Sequence, residues 1–220
     1  MIKKIIKSII DMPKTLYVNF KCFEFKDAIK LPLKVSYKVK IGKLKKNSIK
    51  FNCPIKKGMV KLGYNGSGFV SENNTYLSIN NGTLVLNNNV TIAEGFSIFI
   101  DNGYVEIGEH FYSNRNFQIQ SEEKIIIGKD CLVGWNVSLR DTDGHKIYHN
   151  KKMSNEKGNI NINNHVWIAS NCSILKNSCI SKGSIIGCNS LVHGINMTED
   201  NCIIAGTPAK VIKKQVSWKE

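Results

Sequence analysis

No run of apolar residues in this 220-residue chain approaches the roughly 18 needed to cross a bilayer, so no membrane-spanning helix is expected. The opening, MIKKIIKSII, is basic but has no long apolar stretch and no small-residue cleavage site, which argues against a secretory leader. The seven cysteines contain no C-x-x-C pair and no Cys/His set at zinc spacing. Reduced thiols and a cytoplasmic location are therefore the expectation, with no metal. G-x-S-x-G is absent, and with it the usual turn that presents a nucleophilic serine. G-x-G-x-x-G, the dinucleotide fingerprint, is absent as well.

Acidic residues are scarce at one end. Residues 1–61 hold seventeen lysines against Asp11, Glu24 and Asp27, a balance of +14, whereas residues 62–220 hold fourteen basic and fourteen acidic side chains. The whole net charge of +14 therefore sits in the N-terminal flank. The lysines are not interleaved with a recognition motif, so nucleic acid is not an expected partner. An anionic membrane surface, at the inner face of a cell membrane, is the sharper alternative for residues 1–61. Within the flank, Ile2, Ile5, Ile6, Ile9 and Ile10 fall on one helical face, and Pro13 is expected to limit that helix. Such a helix either packs on its own domain or a neighbouring subunit, or lies on a membrane.

What the chain does have is a six-residue beat. Ile162, Ile168, Ile174, Ile180, Ile186, Val192 and Ile204 are spaced by six or a multiple of six, and Ile127, Val133 and Leu139 keep the same spacing upstream. Neither the helix period of about 3.6 nor a two-residue strand alternation explains it. A parallel β-helix of hexapeptide repeats does, with three six-residue faces closing one triangular coil of about eighteen residues. The fold class is therefore all-β. Cys131, Cys172 and Cys202 each precede a repeat aliphatic by two positions, a slot held elsewhere by Val137, Ser178, Ser184 and Ser190. They read as small core residues. The expected organisation is a basic flank over 1–61, a β-helix over 62–209 and a cap over 210–220. Val211, Ile212, Val216 and Trp218 would cover the last coil. The crossover rule alone favours a right-handed coil. The beat breaks between Leu139 and Ile162, and an insertion that long in a repeat domain is usually functional.

Four segments carry a family resemblance: Phe111-Tyr112-Ser113-Asn114, Asp141-Thr142-Asp143-Gly144-His145, Val166-Trp167-Ile168-Ala169, and Ala205 to Ile212 through Gly206-Thr207-Pro208. In this order, on a hexapeptide frame, they resemble the hexapeptide-repeat acyltransferases, most of all the sugar and polysaccharide O-acetyltransferases of the galactoside and maltose acetyltransferase type. The resemblance covers about half of the chain, from about residue 111 to 214. It implies a left-handed coil, a homotrimer, acetyl-CoA as acyl donor, and a glycan or lipid-linked glycan as acceptor.

By that resemblance His145, in the insertion, is the general base. The chemistry suits it, since a neutral imidazole with a reference pKa near ~6.5 can take a hydroxyl proton at neutral pH. Asp141 and Asp143 either orient the imidazole and meet the acceptor or simply start a turn. Asn114 matches an acceptor-contacting asparagine, and Glu122 falls where relatives carry an acidic contact. Trp167 is expected to flank the pantetheine arm, with Ser170 and Cys188 meeting it through their main chains, and Lys210 and Lys213 near the nucleotide phosphates. Two rival readings stay open. One is N-acylation of a nucleotide-linked amino sugar, and the other is a non-catalytic β-helix scaffold.

Overall fold

The structure is a computed structural model describing residues 2–71, 73–154 and 156–219, with the side chains of residues 2–5 outside the description. Three parallel sheets close into a triangular prism whose chain runs from sheet A to B to C and back. Sheet A stacks Leu33–Val35, Val60–Leu62, Val90–Ile92, Tyr112–Ser113, Leu132–Val133, Trp167–Ile168, Ile185–Ile186 and Ile203–Gly206. Sheet B includes Tyr76–Asn80, Ser97–Asp101, Gln118–Ser121, Ser138–Arg140, Ser173–Leu175 and Leu191–Val192. Sheet C includes Thr83–Leu86, Tyr104–Ile107, Lys124–Ile127, Ile160–Ile162 and Ser178–Ile180. The coil is left-handed, against the crossover rule. That rule describes crossovers, usually helical, that pack back on a sheet. Here short corners pass the chain directly to the next face.

The six-residue beat is the core. Ile127, Ile162 and Ile180 point inward from sheet C, Val133, Ile168, Ile186 and Ile204 from sheet A, and Leu139, Ile174 and Val192 from sheet B, all buried. Each stacks on its counterpart one coil away, as Val133 pairs with Ile168 and Ile168 with Ile186. Cys131, Cys172 and Cys202 are buried beside them, as are Val137, Ser178, Ser184 and Ser190. The eighteen-residue coil holds only near the C-terminus, where Trp167, Ile185 and Ile203 follow one another in register. Earlier coils are longer. Tyr112 pairs with Leu132, and Val60 with Val90, because loops leave the corners.

Corners are turned by residues in the left-handed region. Asn116, Asn136 and Asn171 have φ of 64°, 54° and 60° and form a ladder down the corner between sheets A and B. Each Nδ2 donates to the next Oδ1, at 2.9 and 3.0 Å. Asparagine tolerates that backbone better than most residues and its amide can both donate and accept, so one residue type closes the corner and links coils.

The solenoid starts at Leu33, so the 61/62 boundary expected from charge does not fall at a structural break. What lies outside is α1 (Ile2–Cys22) and α2 (Phe25–Ala28). Helix α1 runs straight through Pro13, which sits on the exposed face. The face it turns to the prism is mixed: Val18 and Cys22 join the core, and polar side chains beside them bond the sheet edge. Thr15 Oγ1 accepts from the Val35 N–H (3.0 Å) and donates to the Val35 carbonyl (3.2 Å). Asn19 does the same for Leu33, accepting at 3.1 Å and donating at 2.8 Å, and Asp11 accepts from the Tyr37 N–H at 2.8 Å. These side chains, four residues apart on one face, stand in for the missing neighbouring strand and close an edge that would otherwise offer unpaired backbone groups. The Tyr64 hydroxyl donates to Asp11 at 2.6 Å, and burial together with Asp11 pushes its pKa up.

The apolar face of α1 points the other way. Ile6, Ile9, Ile10, Leu16, Tyr17 and Phe20 are exposed, so of the alternatives for this stripe, packing on its own domain does not occur. Ile2 and Ile5, assigned to the same stripe, have side chains outside the described residues. At the far end, Ala209–Lys213 folds back antiparallel on Ile203–Gly206 and covers the last edge. Of the four capping residues expected, Val211 and Ile212 stay exposed. Trp218 does dock, stacking on His165 with centroids 4.1 Å apart and donating from Nε1 to the His165 carbonyl at 3.1 Å.

Candidate active site

An apolar groove of about 510 Å³ runs along the corner between sheets A and B. It is lined by Asn114, Gly134, Trp135, Trp167, Ala169, Ser170, Gly187 and Cys188, among others. Four residues singled out from the sequence, Asn114, Trp167, Ser170 and Cys188, are thus brought together. Register explains why. Gly134, Ala169 and Gly187 occupy the same corner step in successive coils, since Leu132, Trp167 and Ile185 pair in sheet A. Trp135, Ser170 and Cys188 come next. Trp135 was not singled out, although the register that carries Ser170 and Cys188 reaches it once the insertion is counted. The groove depends on small residues. A Cβ on Gly134 would lie 2.8 Å from the Ser170 nitrogen, so coils could not approach this closely there with a larger side chain.

Polar groups are few and directed. Ser170 Oγ accepts from the Trp135 N–H at 3.2 Å. Asn114 Oδ1 accepts from the Ser67 N–H at 3.0 Å and from the Tyr112 hydroxyl at 3.4 Å, which turns its Nδ2 into the available donor. The indole N–H of Trp135 is buried and meets no acceptor among the described residues. Beyond the groove, Lys210 and Lys213 project from the last strand, opposite Ala205 and Ile203 in register, and both are exposed.

His145, Glu122, Asp141 and Asp143 are not at this groove. They gather at the next corner, between sheets B and C, where the insertion leaves the prism. Asp141 is fully buried and holds that corner together. One oxygen accepts from the Glu122 N–H at 2.8 Å, the other from the Glu123 N–H at 3.0 Å and the Ser121 hydroxyl at 2.6 Å. Its carbonyl also accepts from the Gly158 N–H at 3.1 Å, so both feet of the insertion are tied at one point. Asp143 pairs with the buried Lys176 at 2.7 Å, and Glu122 with Lys157 at 3.0 Å. His145 lies between these anchors on an exposed stretch, before a small hairpin of Tyr148–His149 and Lys152–Met153. The insertion also overhangs a cleft of about 620 Å³ lined by Asp143, Lys157, Lys176 and His193, among others. One full width of sheet B separates His145 from the groove on the same chain.

No family model matches the chain. It is 32% identical over 202 residues to an uncharacterized 24.8 kDa protein in the cps region of Klebsiella pneumoniae, covering 92% of this chain and 88% of that one. It is 29% identical over 146 residues to the putative lipopolysaccharide biosynthesis O-acetyl transferase WbbJ of Escherichia coli K12, covering 61% and 74%. Among solved structures, the polySia-specific acetyltransferase NeuO superposes with a TM-score of 0.53 at 26% identity, over 86% of this chain and 89% of NeuO. The solenoid of hexapeptide repeats is thus shared with a solved acetyltransferase, and a relative named by function is an O-acetyl transferase. The chain belongs to the hexapeptide-repeat acyltransferases and is an acetyltransferase.

Proposed function

We propose that the chain moves acetyl from acetyl-CoA to a hydroxyl of a cell-surface polysaccharide or its precursor, with His145 as general base. The observation that carries this reading is the corner groove, which gathers Asn114, Trp167, Ser170 and Cys188 around an apolar channel suited to a pantetheine arm. Lys210 and Lys213 lie one strand beyond it, in reach of phosphates. The acceptor class is supported by the relatives, one of which lies in a cps region while another is named for lipopolysaccharide biosynthesis.

In the reaction, His145 takes the acceptor hydroxyl proton as the oxygen attacks the thioester carbonyl. The C–O bond forms, the tetrahedral intermediate collapses, and the C–S bond breaks. The CoA thiolate leaves with the proton returned by the imidazolium. No enzyme-bound acyl group forms. Asn114 Nδ2 is the donor for the acceptor oxygen or the developing oxyanion. Asp141 acts indirectly, by fixing the corner from which the insertion springs.

Since one chain keeps His145 and the groove at different corners, the site takes two copies, the insertion of one reaching the groove of the next. A cyclic homotrimer satisfies this. The outward face of α1 is read as a contact with an anionic membrane surface at the inner face of the cell membrane. Lys7, Lys14 and Lys21 recur every seven residues alongside the exposed apolar stripe, the pattern of an interfacial helix. No helix among the described residues is long and apolar enough to cross a membrane. The reading is tested by incubating the protein with labelled acetyl-CoA and fractionated cell-surface glycans. Hydroxylamine-labile ester on a glycan supports it, and label in an amide or on no glycan contradicts it.

A further inference from the structure

Between Gly63 and Tyr76 the chain leaves the prism and returns over the corner that holds the groove. This loop is built in rather than loosely attached. Three consecutive residues two coils further on each grip it. Asn114 Oδ1 accepts from the Ser67 N–H at 3.0 Å. Arg115 Nη1 donates to the Val70 carbonyl at 2.7 Å, its guanidinium fixed by Glu94. Asn116 Nδ2 donates to the Ser71 carbonyl at 3.0 Å while its Oδ1 accepts from the Asn73 N–H at 2.8 Å. Gly66 has φ +99°, and a Cβ there would lie 2.8 Å from Arg115 Cγ, so only glycine lets the loop lie so close.

At the loop's tip stands Phe69, 82% exposed yet resting against Trp135 with ring centroids 5.4 Å apart at 52°. Isolated exposed aromatics are ordinary on protein surfaces. This one is held by a triply anchored loop, beside a tryptophan that lines the acyl groove and whose buried N–H has no acceptor among the described residues.

We propose that Phe69 is a stacking platform for a pyranose ring of the acceptor glycan, and that the loop sets acceptor specificity. This rests on the O-acetyltransferase reading above. The C–H face of a pyranose is apolar and flat enough to pack on an aromatic ring. A sugar on Phe69 lies at the groove mouth, with a hydroxyl in reach of Asn114 Nδ2. The sugar's target hydroxyl then faces the thioester end of the groove.

The test compares Phe69→Ala and Phe69→Trp with the wild type, using a purified cell-surface oligosaccharide that the wild type acetylates. Phe69→Ala is expected to raise the acceptor KM by about 3- to 10-fold, the worth of one aromatic contact, with kcat at saturating acceptor within about twofold. Phe69→Trp is expected to restore the KM. Calorimetric binding of CoA and thermal unfolding should be unchanged in both. An unchanged acceptor KM in Phe69→Ala overturns the platform while leaving the enzyme reading intact. So does a KM change accompanied by weaker CoA binding or a lowered melting temperature, which would mark Phe69 as structural. Absence of transfer by the wild type to any glycan, with no CoA binding, removes the O-acetyltransferase reading and the platform with it.

Discussion

Two inactive chains should make an active enzyme when mixed. His145 projects from the corner between sheets B and C, while the groove lies at the corner between sheets A and B, across the width of Ser138–Arg140. Consider His145→Ala, which keeps its groove, and Cys188→Trp, which keeps its histidine but fills the groove from an exposed position. Alone, His145→Ala loses about 10²–10⁴ in rate, as removal of a general base does. In a cyclic trimer holding both chains, each site pairs the histidine of one copy with the groove of the next. Whether the ratio is two to one or one to two, one site of three combines an intact histidine with an intact groove. Mixed trimers isolated through two different tags should therefore regain about one third of wild-type activity per trimer. The assay is transfer from labelled acetyl-CoA at saturating donor and acceptor. Mixed assemblies no more active than the parent variants would refute the shared site, and recovery near one half would point to a two-fold assembly.

Other outcomes follow from the same geometry. Cys188 is exposed in the groove, whereas burial pushes the thiols of Cys22 and Cys131 up to about 11, leaving little thiolate at pH 8. Iodoacetamide at pH 8 should label Cys188 well before Cys22 or Cys131, and acetyl-CoA, which carries no free thiol, should protect it; mass spectrometry showing no protection would argue against the groove as the CoA channel. Asn19→Leu strips both partners from the Leu33 backbone and should cost about 2–4 kcal/mol in urea unfolding, and a loss below about 0.5 kcal/mol would contradict the edge-capping role of α1. Replacing Lys7, Lys14 and Lys21 by Gln should weaken partitioning onto anionic vesicles by roughly 3 kcal/mol, at about 1 kcal/mol per lysine, in flotation at low salt. Equal recovery of wild type with neutral and anionic vesicles would remove the membrane contact.

The aliphatic beat made the prism legible because a β-helix core repeats one local rule, an inward aliphatic at a fixed step. Ile162 to Ile204 could be assigned to faces without knowing any distant contact, and Cys131, Cys172 and Cys202 to the core by the same count. Helix α1 was harder. Its isoleucine stripe was visible, but the usual inference that an apolar stripe faces inward fails here, because the prism's end demands polar partners for Leu33, Val35 and Tyr37. Pro13 misled for a related reason, since its missing N–H falls on the solvent side of a helix held by its other face. His145, Asn114, Trp167, Ser170 and Cys188 were singled out by motif, yet nothing local says that His145 belongs to a different corner from the rest. Phe69 left no signal at all. Its position is set by hydrogen bonds spanning roughly 45 residues, from Asn114, Arg115 and Asn116 back to Ser67, Val70 and Ser71.

The central claim, that His145 drives direct acetyl transfer to a glycan hydroxyl, is tested most directly by following labelled acetyl from acetyl-CoA onto purified cell-surface glycan with wild type and His145→Ala side by side. The account predicts a hydroxylamine-labile ester formed by the wild type, no acetyl-enzyme intermediate, and a kcat lowered at least about 10²-fold in His145→Ala with CoA binding intact. Near-normal turnover by His145→Ala, or label trapped on the protein, would contradict it.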